Sequence, residues 1–150
     1  MSKIVYKILG IFFISLLCTS ITALLFGEII EYFNIKTGFN SDQLGTSSMT
    51  KFIFMVLVFP FLETLVFQHV PAKLNEYFGG KEYLIILTSA LLFGLYHFYS
   101  WIYIMFGFCL GIIFILFYLR MRKYGVYPLI ITFLLHGAHN GVGFILFELL

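Results

Sequence analysis

Four polar side chains lie inside long apolar stretches of this sequence, where polar groups are costly. Glu63 follows Phe-Pro-Phe-Leu, His97 ends Phe-Gly-Leu-Tyr-His, and His136 and Asn140 belong to Leu-Leu-His-Gly-Ala-His-Asn. An ionisable residue in the middle of a membrane helix costs about 2.5 to 3.5 kcal/mol on insertion scales. The simplest interpretation of any one histidine is a hydrogen bond between helices, which stabilises by about 0.6 to 2 kcal/mol.

Together these side chains contain what hydrolysis of an acyl bond by water requires. A carboxylate can take a proton from water, an imidazole can orient that water, and a further His and Asn can donate to a developing oxyanion. His136 and Asn140 are four residues apart, so one helical face presents both, with His139 on a neighbouring part of it. Ser, Thr or Asn would join helices by hydrogen bonds at a lower desolvation cost. The presence of Glu and His therefore favours a catalytic role over helix packing.

The composition places these residues in a membrane. Of 150 residues, 61% are hydrophobic and 11% are charged, whereas soluble chains carry about 25% charged residues. Because the apolar residues form long runs, we predict an all-α, polytopic bundle of transmembrane helices. The 9 bases and 7 acids leave a net charge of +2 and are scattered, which excludes a nucleic-acid partner.

Five stretches are long enough to cross a hydrocarbon core of about 30 Å. We predict spans over residues 4–26, 52–70, 83–99, 101–119 and 127–149, with residues 99–101 in a tight interfacial turn. Most bases near the predicted membrane ends fall on one side: Lys3, Lys7, Lys73, Lys81, Arg120, Arg122 and Lys123, against Lys36 and Lys51. This bias predicts a cytoplasmic N-terminus. A cleaved signal peptide is the alternative interpretation of the first span.

Two regions follow from these spans. Residues 1–50 would form an N-terminal transmembrane helix and a polar loop over 27–50, with Ser47 or Ser48 as the cap of the next helix. Residues 51–150 would form a four-helix core. With these boundaries Glu63 lies much deeper than His97 below the same membrane face. Their convergence therefore requires tilted helices or a shift at Pro60.

Small residues recur at a spacing that lets helix backbones approach closely. Gly107-x-x-x-Gly111 and Gly137-x-x-x-Gly141 both have this spacing, and packing is its simplest explanation. The second pair flanks His139 and Asn140, so it could press their helix against the one that bears Glu63.

Three motifs occur in order, each in its own predicted span. They are Glu63-Thr64-x-x-x-Gln68, Phe93-x-x-x-His97 and His136-x-x-x-Asn140. In this order they resemble the CPBP family of intramembrane proteases, also called Abi, which includes the type II CAAX prenyl endopeptidases. The resemblance runs from about Lys51 to the C-terminus and leaves the first span outside it.

The resemblance implies a role for each matching residue. Glu63 would be the catalytic base, His97 would help to position water, and His136 and Asn140 would line the oxyanion site. The first motif departs from the family pattern, which usually has two glutamates followed by an arginine. Here Thr64 and Gln68 occupy the second and third of those positions.

Zinc is an open alternative to metal-free chemistry. Glu63, His97 and His136 would make a His-His-Glu set of the kind that binds catalytic zinc and leaves one position to water. The resemblance points the same way, because the family is often called metalloprotease. The same residues also suffice for water activated by glutamate alone, and the sequence has no His-Glu-x-x-His element.

These observations lead to two functional hypotheses. The first is a membrane-embedded endopeptidase, similar to a CAAX protease, that cleaves a membrane-associated peptide or protein in the bilayer of a bacterial cell. The second is a non-catalytic membrane protein on the same scaffold that acts in binding or in bacteriocin immunity, which the departures at Thr64 and Gln68 leave open. A channel or carrier is disfavoured, because five spans show no inverted repeat.

Overall fold

The computed structural model describes residues 3–35 and 47–146. Within them the chain forms five helices and no strand: α1 (Lys3–Tyr32), α2 (Ser48–Tyr77), α3 (Glu82–Tyr96), α4 (Trp101–Lys123) and α5 (Pro128–Phe144). Of these helices, α1, α2 and α4 are long and apolar enough to cross a membrane, and α3 is shorter. The predicted all-helical membrane bundle is confirmed.

The first helix is longer than predicted, and the polar loop is correspondingly shorter. α1 continues through residues 27–32, because the first strong stop signal is Asn34, which adopts a left-handed φ of 49°. The remainder of the predicted loop, residues 36–46, lies outside the described residues. At the start of the second described range, Ser47 caps α2, its hydroxyl oxygen accepting a hydrogen bond from the backbone N–H of Thr50 at 3.2 Å. The predicted cap is confirmed at Ser47.

The predicted third span ends too late and the predicted second span ends too early, and the longer second helix removes the mismatch in depth. α3 ends at Tyr96, so the turn to α4 covers residues 97–100 instead of 99–101. Measured from the opposite ends of their helices, at Tyr77 and Glu82, Glu63 and His97 lie about 21 Å and 22 Å along the helix axes. The two residues therefore reach a similar depth without a large tilt.

Close helix packing holds α3 against α4. A Cβ on Gly111 would lie 2.9 Å from the Cα of Ala90, and one on Gly107 would lie 3.0 Å from Nδ1 of His97. The first distance is shorter than real Cβ contacts, so Gly111 is required for this approach, whereas a Cβ on Gly107 would press on the His97 ring. The packing explanation for the Gly107 and Gly111 pair is confirmed. This close packing places the C-terminal end of α3 in direct contact with α4.

Candidate active site

The helix that carries Glu63 is not a regular α-helix. α2 contains two π-helical segments, Ile53–Val58 and Thr64–His69, with a short α-helical turn between them that ends at Glu63. A proline, Pro60 or Pro71, lies at the start of the α-helical segment that follows each π segment. Single π turns within α-helices are common at functional sites, because they redirect the side chains next to them.

Pro60 has no N–H, and the carbonyl of Met55 therefore accepts its hydrogen bond from another helix. In the first π segment an N–H bonds the carbonyl five residues back, as Phe59 does with Phe54. The residue five positions after Met55 is Pro60, which has no N–H. Instead, the side-chain amide of Asn140 donates a hydrogen bond to the Met55 carbonyl at 2.9 Å. Asn140 therefore fastens α5 to the irregular part of α2.

A glycine on α5 allows the two helices to touch at the same level. A Cβ on Gly137 would lie 2.7 Å from the carbonyl oxygen of Val56, and one on Gly141 would lie 3.8 Å from the Val56 side chain. The first distance is a clash and the second an ordinary contact. The prediction that this glycine pair presses its helix against the one bearing Glu63 is confirmed at Gly137, whereas the contact at Gly141 does not require a glycine.

Glu63 and His136 meet across this interface. Oε2 of Glu63 lies 3.4 Å from Nε2 of His136, and the side chains are 13% and 3% exposed. The other ring nitrogen of His136, Nδ1, lies 3.4 Å from the hydroxyl oxygen of Thr64. Both distances are long for hydrogen bonds, as is common in catalytic sites before substrate binds. The imidazole is thus held between two consecutive residues of α2.

His97 lies where α3 ends and caps that end with its own ring. Its Nδ1 donates to the backbone carbonyl of Phe93 at 2.8 Å, one of the carbonyls that a helix C-terminus leaves unpaired. A carbonyl only accepts hydrogen bonds, so Nδ1 carries the hydrogen. In the neutral ring Nε2 is then an acceptor that can orient a water molecule.

Aromatic rings pack against both imidazoles. The ring of Phe93 lies 4.8 Å from that of His97 and 5.6 Å from that of His136, and the ring of Phe114 lies 4.4 Å from that of His136. His97 is within electrostatic range of His136. Among the described residues, no hydrogen bond or ion pair joins Glu63 to His97. The structure therefore brings Glu63 and His136 into contact and places His97 beside them.

Two further polar residues are buried without a direct link to this pair. His139 is buried on α5, and its Nδ1 has no hydrogen-bond partner within the described ranges. Gln68 is fully buried, and in those same ranges neither atom of its amide has a partner. Thus the residue in the family's arginine position makes no hydrogen bond to Glu63 here.

The sequence did not identify two tyrosines near the site. Tyr96 and Tyr99 lie at the end of α3 and in the following turn, and both phenols are within electrostatic range of Glu63. In the sequence Tyr99 is only an expected interfacial anchor. Their position beside His97 was the available signal, but their proximity to Glu63 depends on where α3 ends.

The side chains do not form the zinc site that the sequence left open. Among the described residues, no three His, Cys, Asp or Glu side chains are placed to hold a metal ion. The bond from Nδ1 of His97 to a backbone carbonyl leaves Nε2 of that ring available as a ligand. Catalytic zinc needs three protein ligands around one point, and Glu63, His97 and His136 as arranged do not provide them.

Comparison with known proteins identifies a family. A family model described as Type II CAAX prenyl endopeptidase Rce1-like matches residues 45–142 of the 150-residue chain. No curated protein and no solved structure matches the chain. The matched segment spans well over half of the chain and contains Glu63, His97, His136 and Asn140. The chain therefore belongs to the type II CAAX prenyl endopeptidase Rce1-like family.

Proposed function

We propose that this protein is an intramembrane peptidase that hydrolyses a peptide bond in a membrane-associated peptide or protein. The observation that carries the proposal is the 3.4 Å contact between the Glu63 carboxylate and the His136 imidazole on facing helices. A carboxylate is expensive inside a membrane bundle. Here it is held next to an imidazole, inside the segment that matches a family of endopeptidases.

In the proposed reaction Glu63 is the general base. It takes one proton from a water molecule that Nε2 of His97 orients, and the resulting hydroxide attacks the carbonyl carbon of the scissile peptide. The negative charge that develops on the carbonyl oxygen receives hydrogen bonds from Nε2–H of His136 and from the amide hydrogen of Asn140 that is not bonded to Met55. The C–N bond then breaks, and the proton on Glu63 passes to the leaving amine.

The domain organisation and the membrane orientation are part of the same proposal. We propose that residues 51–150 are the catalytic core, that residues 1–50 add a membrane helix and a loop, and that the N-terminus is cytoplasmic in a bacterial membrane. The bias of bases toward one face supports this orientation.

Cleavage in labelled water tests the peptidase proposal. The purified protein would be placed in phosphatidylcholine and phosphatidylglycerol vesicles with a library of single-span peptides in ¹⁸O water, and the products read by mass spectrometry. We expect new carboxyl termini that carry one ¹⁸O atom, because hydrolysis adds the water oxygen to the acyl carbon. If the products equal those of protein-free vesicles, the non-catalytic hypothesis, binding or bacteriocin immunity, is the better one.

Removal of metal is expected to leave this activity unchanged. The described side chains provide no three-ligand site, so EDTA should not reduce the cleavage rate, and zinc should be present well below one ion per chain. The measurements are the rate before and after EDTA and the metal content by elemental analysis. A loss of rate that added zinc restores would contradict the metal-free mechanism.

A further inference from the structure

The residue next to Glu63 contacts the far side of the same imidazole. Thr64 is fully buried, and its hydroxyl oxygen lies 3.4 Å from Nδ1 of His136, while Glu63 lies at Nε2. Thr64 begins the second π-helical segment of α2. The irregular helix thus directs two consecutive side chains at the two nitrogens of one ring.

The chemistry of the two partners selects where the ring carries its hydrogen. A neutral imidazole has one N–H, and its other nitrogen is an acceptor. As the general base of the proposed reaction Glu63 is ionised, and an ionised carboxylate can only accept, so the nitrogen facing Glu63 should carry the hydrogen. Nδ1 is then the acceptor and needs a donor. The Thr64 hydroxyl, which can donate or accept, supplies that donor and so holds the ring with Nε2 toward Glu63. In the opposite tautomer the lone pair of Nε2 would face the carboxylate oxygen, which is unfavourable.

We propose that Thr64 is a positioning residue that holds His136 in the tautomer with its hydrogen on Nε2. The consequence for catalysis rests on the proposed function, because only this tautomer can donate to the oxyanion from Nε2. His97 is held in the opposite tautomer by the Phe93 carbonyl. The site therefore contains one imidazole that donates and one that accepts, each fixed by a neighbour on the protein.

Nitrogen NMR of the histidines tests the tautomer directly. The chain has 4 His, so ¹⁵N-histidine labelling of the purified protein in detergent gives few signals. Single His→Gln variants assign each signal to its residue. At about pH 9.5 a histidine with the usual pKa of about 6.5 is neutral, and a carboxyl is ionised even when burial raises its pKa. We expect the hydrogen of His136 on Nε2 and that of His97 on Nδ1. Thr64→Val removes the hydroxyl at nearly constant shape and should free the His136 ring to turn, so that either nitrogen faces Glu63 and carries the hydrogen. A mixture of tautomers is then expected for His136 only.

Two matched variants separate positioning from packing. Thr64→Ser keeps the hydroxyl and should restore the single tautomer. Thr132→Val removes a buried hydroxyl on the same helix as His136, one turn away, and that hydroxyl has no hydrogen-bond partner in the described part of the chain. It should leave the tautomer unchanged. If wild-type His136 carries its hydrogen on Nδ1, or if Thr64→Val changes nothing, Thr64 does not set the tautomer.

Kinetics test the consequence for the reaction. Thr64→Val should lower kcat by about tenfold or more with little change in KM, and Thr64→Ser should recover most of it. An altered tautomer with unchanged kcat would overturn the positioning role. If the wild type cleaves no peptide, the proposed function fails, whereas the NMR result still decides whether Thr64 sets the tautomer.

Discussion

Replacing Glu63 by Gln is expected to lower kcat/KM by about 10² to 10⁴. The glutamine would nearly preserve the shape of the side chain and could still contact His136, but it could not take a proton from water. The loss should therefore appear in kcat, while the fold is retained. Single-turnover cleavage of the best peptide from the library, at equal protein per vesicle, measures it.

The same substitution elsewhere in the chain is the control. Glu31 is an exposed acid near the end of α1, outside the segment that matches the family model. Glu31→Gln removes the same charge and should keep the wild-type rate. Wild-type activity in Glu63→Gln would remove Glu63 from the mechanism.

Adding one methyl group at Gly137 is expected to separate the two helices that form the site. The new Cβ would lie 2.7 Å from the Val56 carbonyl oxygen, and the obstacle is backbone, which cannot rotate away. Overpacking of this kind costs about 1 to 3 kcal/mol. Gly137→Ala should lower the free energy of unfolding in SDS titrations by this amount and reduce kcat, because Glu63 and His136 move apart.

A second glycine on the same helix provides the control. A Cβ on Gly143 would meet nothing within 4 Å, so Gly143→Ala should leave the unfolding free energy unchanged or raise it by up to about 1 kcal/mol. Equal stability of Gly137→Ala and Gly143→Ala would show that α5 does not lie against α2 in this way.

The sequence predicted the parts of this site that depend on local periodicity. His136 and Asn140 are one helical turn apart, and the Gly137 and Gly141 spacing predicted a close approach to the helix of Glu63. The contact between Glu63 and His136 joins residues far apart in the chain. The desolvation cost of these polar groups and the family resemblance suggested that they converge, because no local pattern encodes a long-range contact.

Two features of the site could not be predicted because they depend on backbone hydrogen bonding. The π-helical segments shift the bonding register of α2, and this shift leaves the Met55 carbonyl for Asn140. The apolar run through residues 83–99 has no proline or glycine at its end, so it predicts a longer α3. The ring of His97 ends that helix early by taking the Phe93 carbonyl.

The most direct test of the central claim is a double-mutant cycle on kcat/KM with Glu63→Asp and His136→Gln. These changes leave measurable residual rates, since Asp retains a carboxylate and Gln retains a donor. Residues that contact each other and act as one unit have interaction energies of about 0.5 to 3 kcal/mol. We predict that the double variant loses less than the product of the two single losses. Losses that multiply would show that the carboxylate and the imidazole do not act as one centre.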